Sequence, residues 1–441
     1  MKNKIKISKR IKPFNKVLKI DGDKSLSIRW ALLASQAKGK SKSFNLLKSE
    51  DVINTLKCLK KLGSKIKFFK NSCEIIGQGL NGFNYNKTVS LNAGNSGTLS
   101  RLILGLLVHS KVKVKINGDK SLSSRDFFRV TKPLTKFGAN FKTNSGKLPI
   151  IINGTKFPKP IKYFENKGSA QIKSSVMLAA LNTPGTTIIR ARKSRDHTEK
   201  MFKFLKIPMQ LKVTKNYDYI KIKGKKKINS FNYNIPSDIS SGSFFIILTI
   251  LSKNSKLLIK NVNINPSRIG IIKILKLMGA KIKVKNTKIY KGEKIADLFI
   301  ISTDHLKPIN CPINLNSSAI DEFLLIFLVA AKAKGVSYFK NLSELNQKES
   351  PRLIWGAKIL NKLGIKNKVT SNSIRIHGNP NLVINRKIKI KDYLKDHRVF
   401  MTSVIAALIF GGKWEIYNKD SINTSFPTFL KKIKYLGAKL N

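Results

Sequence analysis

The sequence predicts an α/β protein of two domains, each built from three repeated β/α units. Three observations carry the prediction. A large apolar residue followed by Gly recurs where helix-like segments end, a β-rich run follows each Ala/Leu-rich helix, and an amphipathic helix comes after the run.

The apolar-Gly signal appears as Leu62-Gly63, Phe137-Gly138, Met278-Gly279, Leu363-Gly364 and Leu436-Gly437, each ahead of a strand-like stretch. Gly after a helix is a C-cap signal, because the position takes a left-handed backbone. Successive copies lie 75, 141, 85 and 73 residues apart, so the interval from Gly138 to Gly279 holds about two periods. At its midpoint Phe204-Leu205-Lys206-Ile207-Pro208 is a copy in which no Gly follows the helix. The β-rich runs are 39–47, 112–117, 185–189, 257–262, 335–339 and 412–417. Amphipathic helices are expected over 49–61 and 265–277, opened by Ser49-Glu50-Asp51 and Asn265-Pro266-Ser267. A period of this length excludes the common solenoid repeats. The Lys/Gly stretch 223–227 and Ile235-Pro236-Ser237-Asp238 read as a connector. The expected domains are therefore 22–234, and 235–441 together with 1–21, with a first strand over 4–20 in or beside the second.

The chain has 441 residues, 41% of them hydrophobic, enough for two or three domains with full cores. Its net charge of +63 points at nucleic acid or an anionic membrane. The lysines, however, run from Lys2 to Lys439 without forming a block, and no aromatic residues interleave with them as stacking platforms. The charge is read as a solvated lysine surface, with no nucleic-acid or membrane partner. Cys58, Cys73 and Cys311 have no metal-ligand spacing, so no metal is expected and a reducing compartment is. Residues 1–20 lack the apolar stretch of a secretory signal, and runs such as 244–251 fall short of the ~20 residues of a membrane span. A cytoplasmic protein is expected.

Arginine is scarce, thirteen against seventy-three lysines, and six of the thirteen lie in polar clusters expected to open helices. The clusters are 23–29 with Arg29, 95–101 with Arg101, 121–125 with Arg125, 193–197 with Arg195, 348–352 with Arg352 and 396–398 with Arg398. Arg presents a planar fork that binds carboxylate or phosphate through two parallel hydrogen bonds, and helix starts add positive potential. Such placement suits small, multiply charged anions. Gly94 and Gly97 allow close backbone approach, although the Gly-Lys-Ser/Thr ending of a P-loop is missing. Ser169 and Gln171 can either serve a ligand or cap a helix. Asp321-Glu322 can be reactive carboxylates or complement a helix dipole, and Lys348, Glu349 and Arg352 can be a site or a surface ion pair. In two three-unit domains facing one another, these helix starts would gather in a shared cleft.

Taken as a set, Gly22-Asp23-Lys24-Ser25, Gly94-Asn95-Ser96-Gly97-Thr98, Ser169-Ala170-Gln171, Ser194-Arg195-Asp196-His197, Asp238-Ile239-Ser240-Ser241, Asp321-Glu322, Lys348-Glu349-Ser350 with Arg352, Asp396-His397-Arg398 and Thr424-Ser425-Phe426-Pro427 resemble the enolpyruvyl transferase family, in its 5-enolpyruvylshikimate-3-phosphate synthase branch. The resemblance runs from about residue 20 to residue 436. It implies an inside-out α/β fold with the active site in the interdomain cleft. The implied reaction is transfer of the enolpyruvyl group of phosphoenolpyruvate to the 5-hydroxyl of shikimate 3-phosphate through a tetrahedral intermediate, with no cofactor. A monomer is expected because the high positive charge disfavours self-association. By the same resemblance Lys24, Ser25, Arg29, Ser169, Gln171, Ser194, Asp321 and Lys348 would hold shikimate 3-phosphate. Lys24, Gly97, Arg125, Gln171, Arg352 and Arg398 would hold phosphoenolpyruvate. Asp321, Glu349 and Lys24 would be catalytic: Asp321 takes the hydroxyl proton and Glu349 handles the methylene proton. Asp21, Ile28, Asp126, Glu344 and Thr424 depart from residues common in that family. A rival branch acting on a UDP-amino sugar usually carries Lys-Asn where this chain has Lys24-Ser25, and a loop Cys that 118–129 lacks.

Overall fold

The computed structural model describes residues 3–440. The chain divides into two compact units. One takes the described residues of 1–21, 236–289 and 294–441; the other takes Gly22–Ile235 and Tyr290–Glu293. Among the described residues each unit holds three sheets, and each unit has its own hydrophobic core.

A repeat runs strand, inner helix, parallel strand, outer helix, antiparallel hairpin. In the second unit Val89–Asn92, helix Gly97–Leu107, Val114–Asn117, helix Phe128–Thr135 and the hairpin Asn140–Asn144/Lys147–Asn153 show it fully. There Leu91 pairs with Ile116 in parallel, and Ile116 with Ile150 antiparallel. The repeat opened by helix Lys24–Gln36 takes its parallel strands from the far end of the unit, with Tyr233 opposite Ser43. Parallel neighbours need a crossover, and the inner helix supplies it.

Inner helices are buried on nearly all sides within their unit, polar residues included. Leu26 to Gln36 are all buried in Lys24–Gln36, as are Ile239 to Ile250 in Ile239–Leu251. Helices Gly97–Leu107 and Ala170–Asn182 pack together in one core. Ile239–Leu251, Phe323–Lys332 and His397–Phe410 pack together in the other. Outer helices are two-faced: Glu50–Lys61 buries Val52, Leu56 and Leu59 and leaves its lysines toward water.

The six outer helices end alike. Gly63, Gly138, Gly279, Gly364 and Gly437 have φ of +93°, +106°, +89°, +76° and +101°, and Lys206 holds the same place at +54°. The copy without Gly therefore keeps the left-handed cap and bears a side chain there, at a steric cost.

Three sequence expectations change. The strand expected over 4–20 is two strands, Lys4–Ile7 antiparallel to Lys413–Tyr417 and Asn15–Lys19 parallel to Lys256–Asn263. Pro13, which cannot donate to a ladder, lies in the break. The helix expected from 265 starts later, as Gly270–Leu277. Asn265 instead forms a local turn, its Oδ1 accepting from the Ser267 backbone N–H at 2.9 Å. The 121–125 cluster does not itself open a helix: it spans most of the short helix Lys120–Ser123 and its end, and helix Phe128–Thr135 begins after Asp126 and Phe127.

No helix of the described residues is long and apolar enough to cross a membrane. Among them, no cluster of His, Cys, Asp and Glu could hold a metal.

Candidate active site

In the second unit, polar side chains predicted for the site gather at the starts of three inner helices. Asp23 caps Lys24–Gln36 by accepting from the Leu26 N–H at 2.9 Å, which fixes Lys24 in the first turn. The Lys24 ammonium donates to Asp51 Oδ2 at 2.9 Å. Asp51 is 5% exposed, and the sequence had marked it only as a helix-start acid. Ser25 is partly exposed beside Lys24. Arg29 lies inside the unit: Nε donates to Thr198 Oγ1 at 2.8 Å, Nη2 to Ser174 Oγ at 3.0 Å and Nη1 to the Ser25 carbonyl at 3.2 Å. Ile28 is fully buried in the core.

Helix Gly97–Leu107 begins under two guanidinium groups. A Cβ on Gly97 would stand 3.0 Å from Arg125 Nη1 and 3.1 Å from Arg101 Nη1. The missing side chain lets both cations approach the helix N-terminus. Arg125 donates to Asn95 Oδ1 at 3.2 Å, and Asn95 in turn donates to Asp119 at 2.7 Å. Arg101 stacks 5.1 Å over Phe127 and donates to Gln171 Oε1 at 2.7 Å. The Gln171 amide nitrogen donates to Thr98 Oγ1 at 3.1 Å, so both ends of that side chain are held. Asp126 accepts from the Phe128 N–H at 2.7 Å and starts the following helix.

Ser169 caps Ala170–Asn182, its Oγ accepting from the Ile172 N–H. Its own N–H donates to Glu165 at 2.9 Å. Burial pushes the Glu165 pKa up, opposed by backbone N–H groups of Ser169, Lys167 and Gly168. Ser194 Oγ is buried and has no hydrogen-bond partner among the described residues. A hydroxyl in that state needs a ligand or water.

In the first unit, the predicted site residues centre on Arg352. It is 2% exposed, which rules out a surface ion pair. Its Nε donates to Asp396 Oδ2 at 2.8 Å and Nη2 to Oδ1 at 3.2 Å, a two-point contact. Nη2 also meets the Glu349 carboxylate, and Nη1 lies 3.3 Å from Asp321 Oδ1. Ser350 donates to Asp396 at 2.9 Å. Burial alone would lower the Arg352 pKa, but Asp396, Glu349 and Asp321 together raise it above its ordinary value. Burial likewise pushes Asp396 up, and the Arg352 charge overcomes it and holds the carboxyl low. Lys348 lies 3.8 Å from Asp321 Oδ1. Arg398 Nη1 donates to the Asp321 carbonyl at 2.8 Å and lies 3.7 Å from Glu322. Asp321 thus has three cations around it.

Glu322 does more than complement a helix dipole. It is 1% exposed and accepts from Ser240 at 2.5 Å. Arg268 donates to Ser240 at 2.7 Å and to Asp238 at 3.2 Å. Arg268 was missed from sequence, although it is one of thirteen arginines in a lysine-rich chain and was marked by that fact alone. Glu344 is exposed on the 3-10 turn Ser343–Gln347, and Thr424 Oγ1 donates to the Ser421 carbonyl.

Each unit carries three like repeats with cations, hydroxyls and carboxylates at its helix starts, the arrangement that the resemblance to enolpyruvyl transferases implies. Residues 8–433 match the family model for EPSP synthase (3-phosphoshikimate 1-carboxyvinyltransferase), and the chain belongs to that family. It is 40% identical over 435 residues to the 3-phosphoshikimate 1-carboxyvinyltransferase of Ruthia magnifica subsp. Calyptogena magnifica, covering 98% of each chain. The EPSP synthase of Acinetobacter baumannii superposes with a TM-score of 0.88 at 33% identity, over 100% of this chain and 99% of that one. The enolpyruvyl transferase NikO of Streptomyces tendae shares the fold, with a TM-score of 0.77 at 14% identity over 99% and 98% of the two chains.

Proposed function

We propose that this protein is a 3-phosphoshikimate 1-carboxyvinyltransferase, acting on the shikimate pathway to aromatic amino acids. Full-length family membership supports the activity. The observation that carries the chemistry is Asp321 and Glu349 sharing Arg352, with Lys348 beside Asp321.

Both substrates bear a phosphate and a carboxylate, so their binding needs fixed cations in a water-poor site. Lys24, Ser25, Arg29, Ser169, Gln171 and Ser194 hold shikimate 3-phosphate together with Asp321 and Lys348. Phosphoenolpyruvate is held by Lys24, Gly97, Arg125, Gln171, Arg352 and Arg398. Asp321 accepts the proton of the 5-hydroxyl as the hydroxyl oxygen bonds to C2, while C3 takes a proton from the Glu349 carboxyl and becomes a methyl group. The C2–O bond to phosphate then breaks, C3 gives up a proton to Glu349, and the enolpyruvyl ether and inorganic phosphate leave. Lys348 spans the two ligands from its place beside Asp321. Arg352 enters this reaction already facing three carboxylates, so an incoming substrate carboxylate competes with Glu349 or Asp321 for it. We assign the enzyme to the cytoplasm, as a monomer kept apart by its +63 charge, with domains 22–234 and 235–441 plus 1–21.

Phosphate release is measured with phosphoenolpyruvate and either shikimate 3-phosphate or a UDP-amino sugar as acceptor. Turnover of the first alone is expected. Activity on the sugar nucleotide alone would reverse the assignment.

A further inference from the structure

We propose that Lys173, acting through Glu199 and Asp218, is a positioning residue for the shikimate 3-phosphate site. The proposal rests on the function given above and adds residues that no ligand contact assigns.

Lys173 lies on helix Ala170–Asn182, one turn beyond Ser169, and is 0% exposed. Lysine is almost never buried so completely unless paired. Its ammonium lies 2.5 Å from Glu199 Oε1 and 3.9 Å from Asp218 Oδ2. Glu199 is in the first turn of helix His197–Phe204, and Asp218 is on strand Tyr217–Lys223. The other oxygen of Asp218 accepts from Lys193 at 2.5 Å, the residue before Ser194. Two cations therefore meet two carboxylates, and one cluster, buried apart from the part-exposed Lys193, ties two helices, a strand and the 193–196 loop together.

The neighbours of this cluster are the ligand-holding groups themselves. Ser174 follows Lys173, and Thr198 precedes Glu199. Their hydroxyls lie 2.7 Å apart, and both accept from Arg29. On the other side, Ser169 and Gln171 share the helix of Lys173, and Ser194 is anchored through Lys193. Arg29 and Ser194 thus take their places beside a single ionic bolt, whereas Gln171 is held separately by Arg101 and Thr98. A buried ion pair is weak evidence for stability, since apolar residues of like volume often serve as well. What an apolar pair loses is the link from Lys173 to Asp218 and, through Asp218, to Lys193.

The test compares wild type, Lys173→Met, Glu199→Gln and the double variant K173M/E199M, reading KM for each substrate, kcat and thermal melting. The double variant separates folding from positioning, because replacing both partners by apolar residues leaves no unpaired charge. It is expected to melt near wild type. Its KM for shikimate 3-phosphate should rise about tenfold or more, while that for phosphoenolpyruvate stays within about twofold. Glu199→Gln keeps the side-chain shape and should split the two KM values in the same direction, so the proposal remains testable where a Met variant does not fold. An unchanged KM for shikimate 3-phosphate, or an equal rise for both substrates with a lowered melting temperature, would overturn the proposal. Failure of the wild type to turn over would sink the assigned function first; an active wild type with indifferent variants sinks this inference alone.

Discussion

Replacing Arg352 by Met should turn the pH dependence of the first unit's stability around. Arg352 and Asp396 are 2% and 0% exposed and joined at two points. Removing one partner of such a pair leaves an uncompensated buried charge, at about 3–5 kcal/mol. For a unit of this size about 2–4 °C of melting temperature follows each kcal/mol, so the drop at pH 8 should be about 6–20 °C. In the wild type the Asp396 pKa is depressed in the folded state. Its contribution is therefore present above the unfolded value of about 3.9 and is lost as pH falls through the folded pKa. In Arg352→Met, burial and the Glu349 charge act on Asp396 without the opposing guanidinium, and its folded pKa rises above the unfolded one. The deficit is then full at high pH and shrinks as pH falls toward 5 and the carboxyl takes up a proton. Melting curves from pH 5 to 8 read both slopes. A variant within about 1 kcal/mol of wild type at pH 8, or a deficit that does not shrink on acidification, would refute the reasoning.

Four further outcomes are expected. Asp321→Ala and Glu349→Ala should each lower kcat by at least about a hundredfold, as loss of a general acid or base does; near-normal turnover in steady-state assays removes that residue from the chemistry. Arg125→Ala should act chiefly on KM for phosphoenolpyruvate, and an unchanged value contradicts its assignment. Gly97→Ala sets a methyl 3.0 Å from Arg125 Nη1 and 3.1 Å from Arg101 Nη1; it should raise the same KM with little effect on melting, because the groups it meets are the ends of long side chains. Ser194→Ala deletes a buried hydroxyl without a protein partner among the described residues, so it should raise KM for shikimate 3-phosphate while leaving melting within about 1 kcal/mol of wild type.

The α/β class was legible because each repeat ends its outer helix with the same left-handed residue, and Gly announces it at Gly63, Gly138, Gly279, Gly364 and Gly437. Lys206 shows the limit: the backbone repeats where the residue type does not. The helix start at Asn265 misled because Asn and Ser serve turns as readily as caps, and here Asn265 closes on Ser267. Scarce arginine pointed to Arg125, Arg352 and Arg398, and the same signal was available for Arg268. Nothing in the sequence sets Lys173 apart from seventy-two other lysines. Its importance comes from Glu199 and Asp218, 26 and 45 residues away in sequence, which only folding brings to it. The same holds for Asp51 and Lys24, and for Asp396 and Arg352.

The central claim is that these residues carry out an addition and an elimination at C2 of phosphoenolpyruvate. It is tested most directly by running the wild-type enzyme with shikimate 3-phosphate and phosphoenolpyruvate in D2O and weighing the product by mass spectrometry. The account predicts an enolpyruvyl ether with one phosphate released per turnover and deuterium in its methylene group, because C3 passes through a methyl. An ether free of deuterium, or no ether at all, would contradict it.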